Sequence, residues 1–306
     1  MSIALCVTTF KGGVGKTMTA FNLAAAIARK TKNKQRLRVL LIDADSQGNL
    51  TNLFFPRRQC YDFPRTMLSM FEKDEKASNC ISVTNVAGID IIPYHELIEY
   101  YFQKKFTVGS IFEKVYRSIT PGEKIDRAKL GEFFDNIVKE EQLLTKILRN
   151  KLQEPVIQDL YDFIIIDTKP ASLSLLVYGC LTAADHYLVP IEAGSLWALK
   201  GLEILHENIN SLVNSGSLNI GFLGAVLTKY DKRVNACEVI SQNSKEIYNG
   251  KMFESVISTS TAVAECAFHG KTIYEFAKNS QASRDFTSLS YEVLNRLGVE
   301  YDKRAE

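Results

Sequence analysis

A glycine-rich segment near the start of the chain constrains the fold more than any other feature. Residues 10–17 have the sequence FKGGVGKT and separate an apolar run at 3–8 from a stretch at 17–29 with apolar residues at helical spacing. The glycines let the backbone curl so that successive N–H groups point at phosphate oxygens, and the following helix adds the positive end of its dipole. Lys16 can reach the β- and γ-phosphates, and the Thr17 hydroxyl can bind Mg²⁺. The segment therefore predicts a phosphate-binding site.

Short β-branched runs recur along the chain, and polar or glycine residues and then a helical stretch follow them. Most runs are continuously apolar, as expected of strands that are buried on both faces of a parallel sheet. Besides the run at 3–8, strands are predicted at 39–42, 89–92, 163–166, 187–191, 222–227 and 252–257. Helices are predicted at 17–29, 199–212 and 284–297. The alternation predicts an α/β fold with a doubly wound, mostly parallel sheet flanked by helices.

One long segment departs from this alternation. No run typical of a buried strand lies between Pro93 and Tyr161, and the stretches 96–119 and 129–152 have amphipathic helical patterns. A crossover connection is normally much shorter. We therefore expect a single domain over residues 1–306, with a helical insertion at 96–152.

Composition limits the classes of function. Lys and Arg number 37 against 35 Asp and Glu, so the net charge of +2 argues against coating of nucleic acid by the whole protein but permits a local basic patch. The six cysteines are scattered without a Cys-x-x-Cys pair, which disfavours a disulfide framework or a zinc ribbon. The first residues do not resemble a signal peptide, and no window is apolar enough for a membrane span. These features predict a cytoplasmic protein without a membrane partner.

Acidic residues follow two of the predicted strands. Asp43 and Asp45 come after the run at 39–42, and Asp167 ends the run at 163–166. Carboxylates at the carboxyl ends of parallel strands face the crevice in which such sheets bind ligands. Asp167 is suited to a magnesium shell near Thr17. The alternative for the first pair is a solvated helix cap, because Asp favours that position.

These motifs resemble the ParA partition ATPases, whose deviant loop is Lys-Gly-Gly-x-Gly-Lys-Thr. Phe10 stands where the strict phosphate-loop pattern has glycine, and the start of the loop at Lys11 is similar to the short ParA and Soj type. The resemblance covers almost the whole chain except the insertion. It continues through the segments at 181–185, 189–191, 199–202 and 270–273.

The resemblance implies an ATP- and Mg²⁺-dependent enzyme that forms a homodimer. Lys11 would reach across the dimer to the partner's nucleotide and Asp45 would orient the attacking water, so both would be catalytic. Thr17, Asp43 and Asp167 would bind the metal. The ATP-binding residues would be Lys11, Gly12, Gly13, Val14, Gly15, Lys16, Thr17 and Met18.

The resemblance also implies partners and a location. In the ATP state the dimer would bind non-specific DNA on the nucleoid, and a ParB-like centromere-binding protein would stimulate hydrolysis during plasmid or chromosome partition. Lys271, Lys278 and Arg284 are candidates for phosphate contacts, although acidic residues are interspersed among them and ordinary solvated charge explains them equally well. The family's arginine-rich stretch is 258–263 here and has no arginine, which puts DNA contacts there in doubt.

Two further departures concern the nucleotide. Lys169 replaces the first proline of the family's Asp-x-Pro-Pro; it can contact phosphate, pair with an acid, or face solvent. Residues 228–231, TKYD, follow a predicted strand and are similar to the guanine motif of signal-recognition-type GTPases. Lys229 and Asp231 are therefore candidates for contacts to the base, and the resemblance over the whole chain favours ATP.

Three other functions remain open from the sequence. A MinD-like ATPase that cycles on membranes needs a basic amphipathic C-terminal helix, and the acidic tail at 289–306 is a poor match. A positioning ATPase for a protein cargo would use the same machinery. A non-catalytic scaffold is disfavoured because Lys16, Thr17, Asp45 and Asp167 are all present.

Overall fold

One mostly parallel sheet organises the protein. The computed structural model describes residues 1–106, 127–170, 174–248 and 250–302. The strands within these ranges are β1 Ile3–Val7, β2 Thr31–Lys32, β3 Gln35–Arg36, β4 Val39–Ala44, β5 Ser82–Val83, β6 Ile89–Ile92, β7 Phe163–Thr168, β8 His186–Glu192, β9 Gly221–Tyr230 and β10 Met252–Ser258. Eight of them form a sheet in the order β10-β9-β8-β1-β7-β4-β6-β5, and only β5 runs antiparallel to its neighbour. A small separate hairpin pairs β2 with β3.

Helices cover both faces of this sheet. Those of the first half are α1 Lys16–Ala28, α2 Asn49–Phe54, α3 Met67–Glu72, α4 Ile98–Phe106, α5 Arg127–Leu152 and α6 Pro155–Leu160. Those of the second half are α7 Leu175–Ala183, α8 Leu196–Asn214, α9 Asn235–Ile247, α10 Thr261–Phe268, α11 Ile273–Phe276 and α12 Gln281–Arg296. The predicted doubly wound α/β class is confirmed, and all seven predicted strands are present.

The central strands are buried on both faces, which explains their continuous apolar runs. Side chains alternate between two core layers because successive residues of a strand point to opposite faces. Leu5 and Val7 pack with α1 and α12 in one layer. Cys6 packs with α5 and α7 in the other.

The segment predicted as a helical insertion, 96–152, is described only at its two ends. Residues 107–126, which include the predicted turn at Pro121-Gly122, lie outside the described residues. Both ends are helical, and their apolar side chains are buried in the same core layer as α7. They include Ile98 and Phe102 of α4 and Leu144, Leu148 and Leu152 of α5. The described ends therefore contribute to the core, and the insertion itself remains a prediction.

The topology brings the functional residues to one edge of the sheet. β1 lies between β8 and β7, and β7 lies between β1 and β4. Because these strands are parallel, their carboxyl ends lie side by side. The register pairs Val7 with Asp167 and Asp43 with Asp167. The loop after β1 thus begins beside the acids that end β4 and β7.

Candidate functional site

The loop between β1 and α1 has the backbone conformation that its glycines permit. Gly13 and Gly15 have φ angles of +78° and +83°, in the left-handed region that other residues rarely adopt. Gly15 is also the N-cap of α1, so the amino end of that helix faces the loop. This geometry leaves backbone N–H groups available to an anion.

A cavity of about 530 Å³ lies over this loop. It is lined by Thr9, Lys11, Gly12, Gly13, Gly15, Lys16, Thr17, Met18, Asp45, Ser46, Gln47, Asn49, Lys169 and Pro170. Most of the predicted phosphate-binding residues therefore surround one space. Val14 is the exception among them, because its side chain is buried beneath the loop.

Lys16 forms a buried ion pair with Asp167. The Lys16 Nζ lies 2.7 Å from the Asp167 Oδ1, and the two side chains are 6% and 0% exposed. Burial raises the pKa of Asp167, and the Lys16 ammonium opposes that shift. The Asp167 Oδ2 is buried and has no hydrogen-bond partner among the described residues. The nearby Thr17 hydroxyl also lowers the pKa of Asp167, but no described residue forms a hydrogen bond to the Oδ2, so this oxygen can accept a further ligand.

Asp43 is held by Thr51 at the start of the next helix. The backbone N–H and the hydroxyl of Thr51 both donate to the Asp43 Oδ2 at 2.7 Å, and the Asp45 N–H lies 3.3 Å from the Oδ1. Burial and the neighbouring Asp167 raise the pKa of Asp43 to about 7. Its oxygens are already engaged by hydrogen bonds, unlike the Oδ2 of Asp167.

Asp45 reaches the cavity at the end of β4. Its side chain is buried, and its Oδ1 accepts a 3.0 Å hydrogen bond from the Gln47 N–H. The hydrogen bond fixes the carboxylate while the side chain still lines the cavity. Asp45 is therefore oriented toward the space above the loop.

These oxygens fit a magnesium ion. Mg²⁺ prefers hard oxygen ligands and takes several of them from water and substrate phosphates. The Thr17 hydroxyl and the free Oδ2 of Asp167 are ligands of this type at the loop. Across the described part of the chain, no three His, Cys, Asp or Glu side chains form a cage that could hold a metal ion. A magnesium here would accordingly depend on phosphate and water for its remaining ligands.

Lys11 is at the surface of the loop. Its side chain is 45% exposed, and its Nζ lies 3.4 Å from the Ser195 Oγ and 3.7 Å from the Glu192 Oε2. Glu192 also pairs with Lys229 at 3.3 Å. Lys11 therefore points toward the carboxyl end of β8, where its ammonium remains accessible from outside.

The two residues predicted to contact the base are not brought into the cavity. Lys229, at the end of β9, pairs with Glu192, and neither it nor Asp231 lines the space over the loop. Asp231 accepts hydrogen bonds from the guanidinium of Arg233, which lowers the pKa of Asp231 to about 2. The prediction of base contacts therefore gains no support from this geometry.

Thr228 is a residue that the sequence analysis did not assign. Its hydroxyl donates to the Val14 carbonyl at 2.7 Å and is buried at the end of β9. This hydrogen bond connects the loop between β1 and α1 to β9, although the two residues are 214 positions apart in the sequence. Its only sequence signal was its place at the start of the TKYD segment.

Lys169 pairs with an acid, which was one of its three predicted environments. Its Nζ lies 2.7 Å from the Oε2 of Glu99 in the first turn of α4. The side chains of Lys169 and Glu99 are 23% and 13% exposed. Lys169 also lines the cavity, so it joins the loop region to α4.

The predicted DNA-contacting residues lie outside this cavity. Lys271, Lys278 and Arg284, here called the basic surface, are exposed around α11 and the start of α12. Arg284 donates to Gln281 and to the Asn279 carbonyl, and none of the three forms an ion pair with a described residue. A Cβ added at Gly270 would lie 3.8 Å from Pro56, so the loop carrying the exposed Arg57 and Arg58 is adjacent. The sequence analysis did not identify these two arginines.

The fold and the loop together define a phosphate-loop nucleotide-binding protein. A family model described as the AAA domain matches residues 2–222, so the chain belongs to this family. The ParA family protein of Chlamydia muridarum is 29% identical over 290 residues, which cover 95% of this chain and 96% of that protein. The chromosome partitioning protein ParA of Caulobacter vibrioides is 28% identical over 303 residues, covering 99% and 96%. The predicted resemblance to ParA partition ATPases is confirmed.

Solved structures have the same fold. The ATP complex of a Cyanothece McdA variant superposes with a TM-score of 0.73 at 18% identity and covers 99% of both chains. Cobyrinic acid a,c-diamide synthase of Mycobacterium smegmatis, with bound ADP and magnesium, gives 0.65 at 21% identity and covers 100% of both. At these identities the likeness supports the fold alone. Separately, none of the described helices is both long enough and apolar enough to cross a membrane.

Proposed function

We propose that this protein is a Mg²⁺-dependent ATPase that binds ATP at the loop between β1 and α1. The observation that carries the proposal is the Lys16–Asp167 pair, buried beside a glycine-rich loop that lines an open cavity. A phosphate group placed over the loop would attract the Lys16 ammonium, because charge-assisted hydrogen bonds to phosphate are strong. Asp167 would then be free to join Thr17 in the magnesium shell.

Hydrolysis in this proposal depends on positioning. Phosphoryl transfer needs an oriented nucleophile and neutralised charge more than covalent help. Asp45 would hold the attacking water, since its carboxylate lines the cavity and is fixed by the Gln47 N–H. Asp43, which is bound by Thr51, would support the metal site from behind. The magnesium ion would supply positive charge to the phosphate oxygens.

A homodimer accounts for the surface position of Lys11. Its exposed ammonium is suited to reach the nucleotide of a second copy, where a cation would stabilise negative charge in the transition state. Trp197, at the start of α8, is 75% exposed, and Phe10 beside Lys11 is also exposed. Large apolar side chains exposed around a ligand site are typical of interfaces. ATP would join the two copies.

We further propose that the ATP-bound dimer binds non-specific DNA through the basic surface and works with a ParB-like partner on the nucleoid. The relatives named as chromosome partitioning proteins support this function. A dimer presents the basic surface twice, and sequence-independent phosphate contacts add together. Arg57 and Arg58 would extend the same surface.

One observation favours a second candidate, a positioning ATPase for a protein cargo. The stretch 258–263, where ParA proteins are expected to have arginines, is STSTAV here. A membrane-cycling function is less favoured, because the apolar side chains of α12, including Phe286, Leu289 and Val293, are buried in the core and are not available to a bilayer. Co-sedimentation with plasmid DNA or with anionic liposomes, with and without ATP, separates the membrane-cycling function from the functions that use the nucleoid.

The ATP site is tested by isothermal titration with ATP and Mg²⁺. Lys16→Ala removes the phosphate contact and should abolish measurable binding, whereas the exposed Lys139→Ala is the matched control and should bind as the wild type does. Omission of magnesium should weaken binding by the wild-type protein. Unchanged affinity of Lys16→Ala would reject this site.

A further inference from the structure

Each lysine that lines the cavity over the phosphate-binding loop is paired with a carboxylate. Lys16 pairs with Asp167, Lys11 lies near Glu192, and Lys169 pairs with Glu99. A nucleotide phosphate would compete with each of these carboxylates for its lysine. For Lys16 the competition is part of the function proposed above, and Lys11 is proposed there to reach the nucleotide of a second copy. The third pair differs because its acid belongs to α4, outside the loop and the strands that build the site.

The environment of Glu99 indicates that its pairing is incomplete. The Oε2 receives Lys169 at 2.7 Å, while the Oε1 is buried and has no hydrogen-bond partner among the described residues. A buried carboxylate oxygen without a partner is costly and calls for a physical explanation. Among the described residues, one of the two Glu99 carboxylate oxygens is therefore unsatisfied, and Lys169 is the cation that pairs with the other.

Lys169 is also placed to meet a phosphate. It follows Asp167 by two residues in the loop after β7, and its side chain shares the cavity with Lys16 and Gly12. A lysine side chain is long and its ammonium rotates freely, so it can exchange one anion for another without movement of the backbone. The negative charge of a nucleotide polyphosphate exceeds that of one carboxylate.

We propose that Lys169 contacts a phosphate of the bound nucleotide and that it leaves Glu99 to do so. This inference rests on the proposed ATP site. Glu99 then opposes nucleotide binding, because the ion pair must break before Lys169 reaches the phosphate. Release of Glu99 loosens the first turn of α4, the helix that precedes residues 107–126 in the sequence. Nucleotide occupancy is thereby transmitted to α4.

The opposing effects of the two residues provide the test. Affinity is measured by titration calorimetry with Mg²⁺ and the non-hydrolysable analogue AMP-PNP. Lys169→Met should raise the Kd about 10-fold, because it removes a charge-assisted contact to phosphate. Glu99→Gln should lower the Kd, by about threefold or more, because it frees Lys169 from its competing anion. The double variant should match Lys169→Met, since without the lysine Glu99 has nothing to oppose.

Different results are expected if the ion pair between Lys169 and Glu99 has only a structural role. If the ion pair only stabilises the position of α4, both single variants lose the same stabilising contact. They then shift the Kd in the same direction or leave it unchanged, and either result overturns the inference. Lys169→Arg keeps the charge and should retain wild-type affinity. This variant shows whether the loss of affinity in Lys169→Met comes from the missing charge or from misfolding. Amide hydrogen exchange in α4 should become faster when the wild type binds AMP-PNP, and an unchanged rate contradicts the release of α4.

The controls separate this inference from the proposed ATP site. If the wild-type protein does not bind AMP-PNP, or if Lys16→Ala binds it normally, the proposed site and this inference both fail. If the wild type binds, Lys16→Ala does not, and the Lys169 and Glu99 variants shift together, only the inference fails.

Discussion

Replacing Lys16 by methionine removes the charge of a buried ion pair and keeps most of the side-chain volume. Asp167 would then be a buried carboxylate without its partner, and its register neighbour Asp43 is also acidic. We expect Lys16→Met to destabilise the protein in the absence of any nucleotide. The effect separates the electrostatic role of Lys16 in the fold from its proposed role in binding ATP.

The magnitude follows from the burial of the pair. Loss of one partner of a buried ion pair costs about 3–5 kcal/mol. Asp167 can limit the loss by taking up a proton. Since its ordinary pKa is 3.8, keeping it protonated costs about 4 kcal/mol at pH 7 and about 2 kcal/mol at pH 5.5. The expected destabilisation is therefore about 3–4 kcal/mol at pH 7 and no more than about 2 kcal/mol at pH 5.5.

The sign of the pH effect follows from proton binding. In the variant, the folded state keeps a proton on Asp167 that the unfolded chain has lost above its ordinary pKa of 3.8. Stability relative to the wild type accordingly falls as the pH rises above that value.

Urea denaturation in EDTA without nucleotide, at both pH values, measures the free energy of unfolding. The double variant Lys16→Met, Asp167→Asn replaces the ion pair by neutral side chains and should recover most of the lost stability. The control variant Lys139→Met, at an exposed position, should be as stable as the wild type. A Lys16→Met protein within about 1 kcal/mol of the wild type at pH 7, or an equal loss at both pH values, would refute the reasoning.

Four other predictions follow from the same geometry. Asp45→Ala should bind ATP with nearly wild-type affinity in calorimetry but hydrolyse it slowly and accumulate as dimer in size-exclusion chromatography; normal turnover contradicts the role of Asp45. Alanine at all three residues of the basic surface removes six phosphate contacts from the dimer, so it should weaken DNA binding and reduce the slope of log K against log salt by about 5 in fluorescence anisotropy; an unchanged slope moves the DNA site elsewhere. Thr228→Val removes the hydrogen bond to the Val14 carbonyl and should cost about 1–3 kcal/mol in urea denaturation; no loss would show that the bond is dispensable. Burial lowers the pKa of His206 below 6.5, so the unfolded chain gains its proton first and stability should fall from pH 7 to pH 5. His206→Gln should reduce this loss of stability between pH 7 and pH 5. If the variant loses as much stability as the wild type, other titratable groups cause the effect.

The local sequence pattern was sufficient to predict the elements that are long or chemically distinctive. Most of the seven predicted strands are continuous apolar runs, and such runs are recognisable because both faces of a central strand exclude water. The strands β2, β3 and β5 have two residues each, too few to establish any periodicity. The end of the segment at 127–152 joins the core through apolar residues at helical spacing, and that spacing alone does not specify what the helix packs against.

The phosphate-binding loop, the acids after the strands and the parallel sheet were determined by the sequence itself, because glycine conformation, strand burial and residue chemistry act over a few neighbouring positions. Tertiary structure alone decided which charges meet. Lys16 and Asp167 are 151 positions apart, and Thr228 is 214 positions from Val14. Glu99 and Lys169 lie on different elements. These contacts exist because the sheet aligns the ends of distant strands and α4 packs beside them, and the interaction of two charges depends on their distance in space and on their burial.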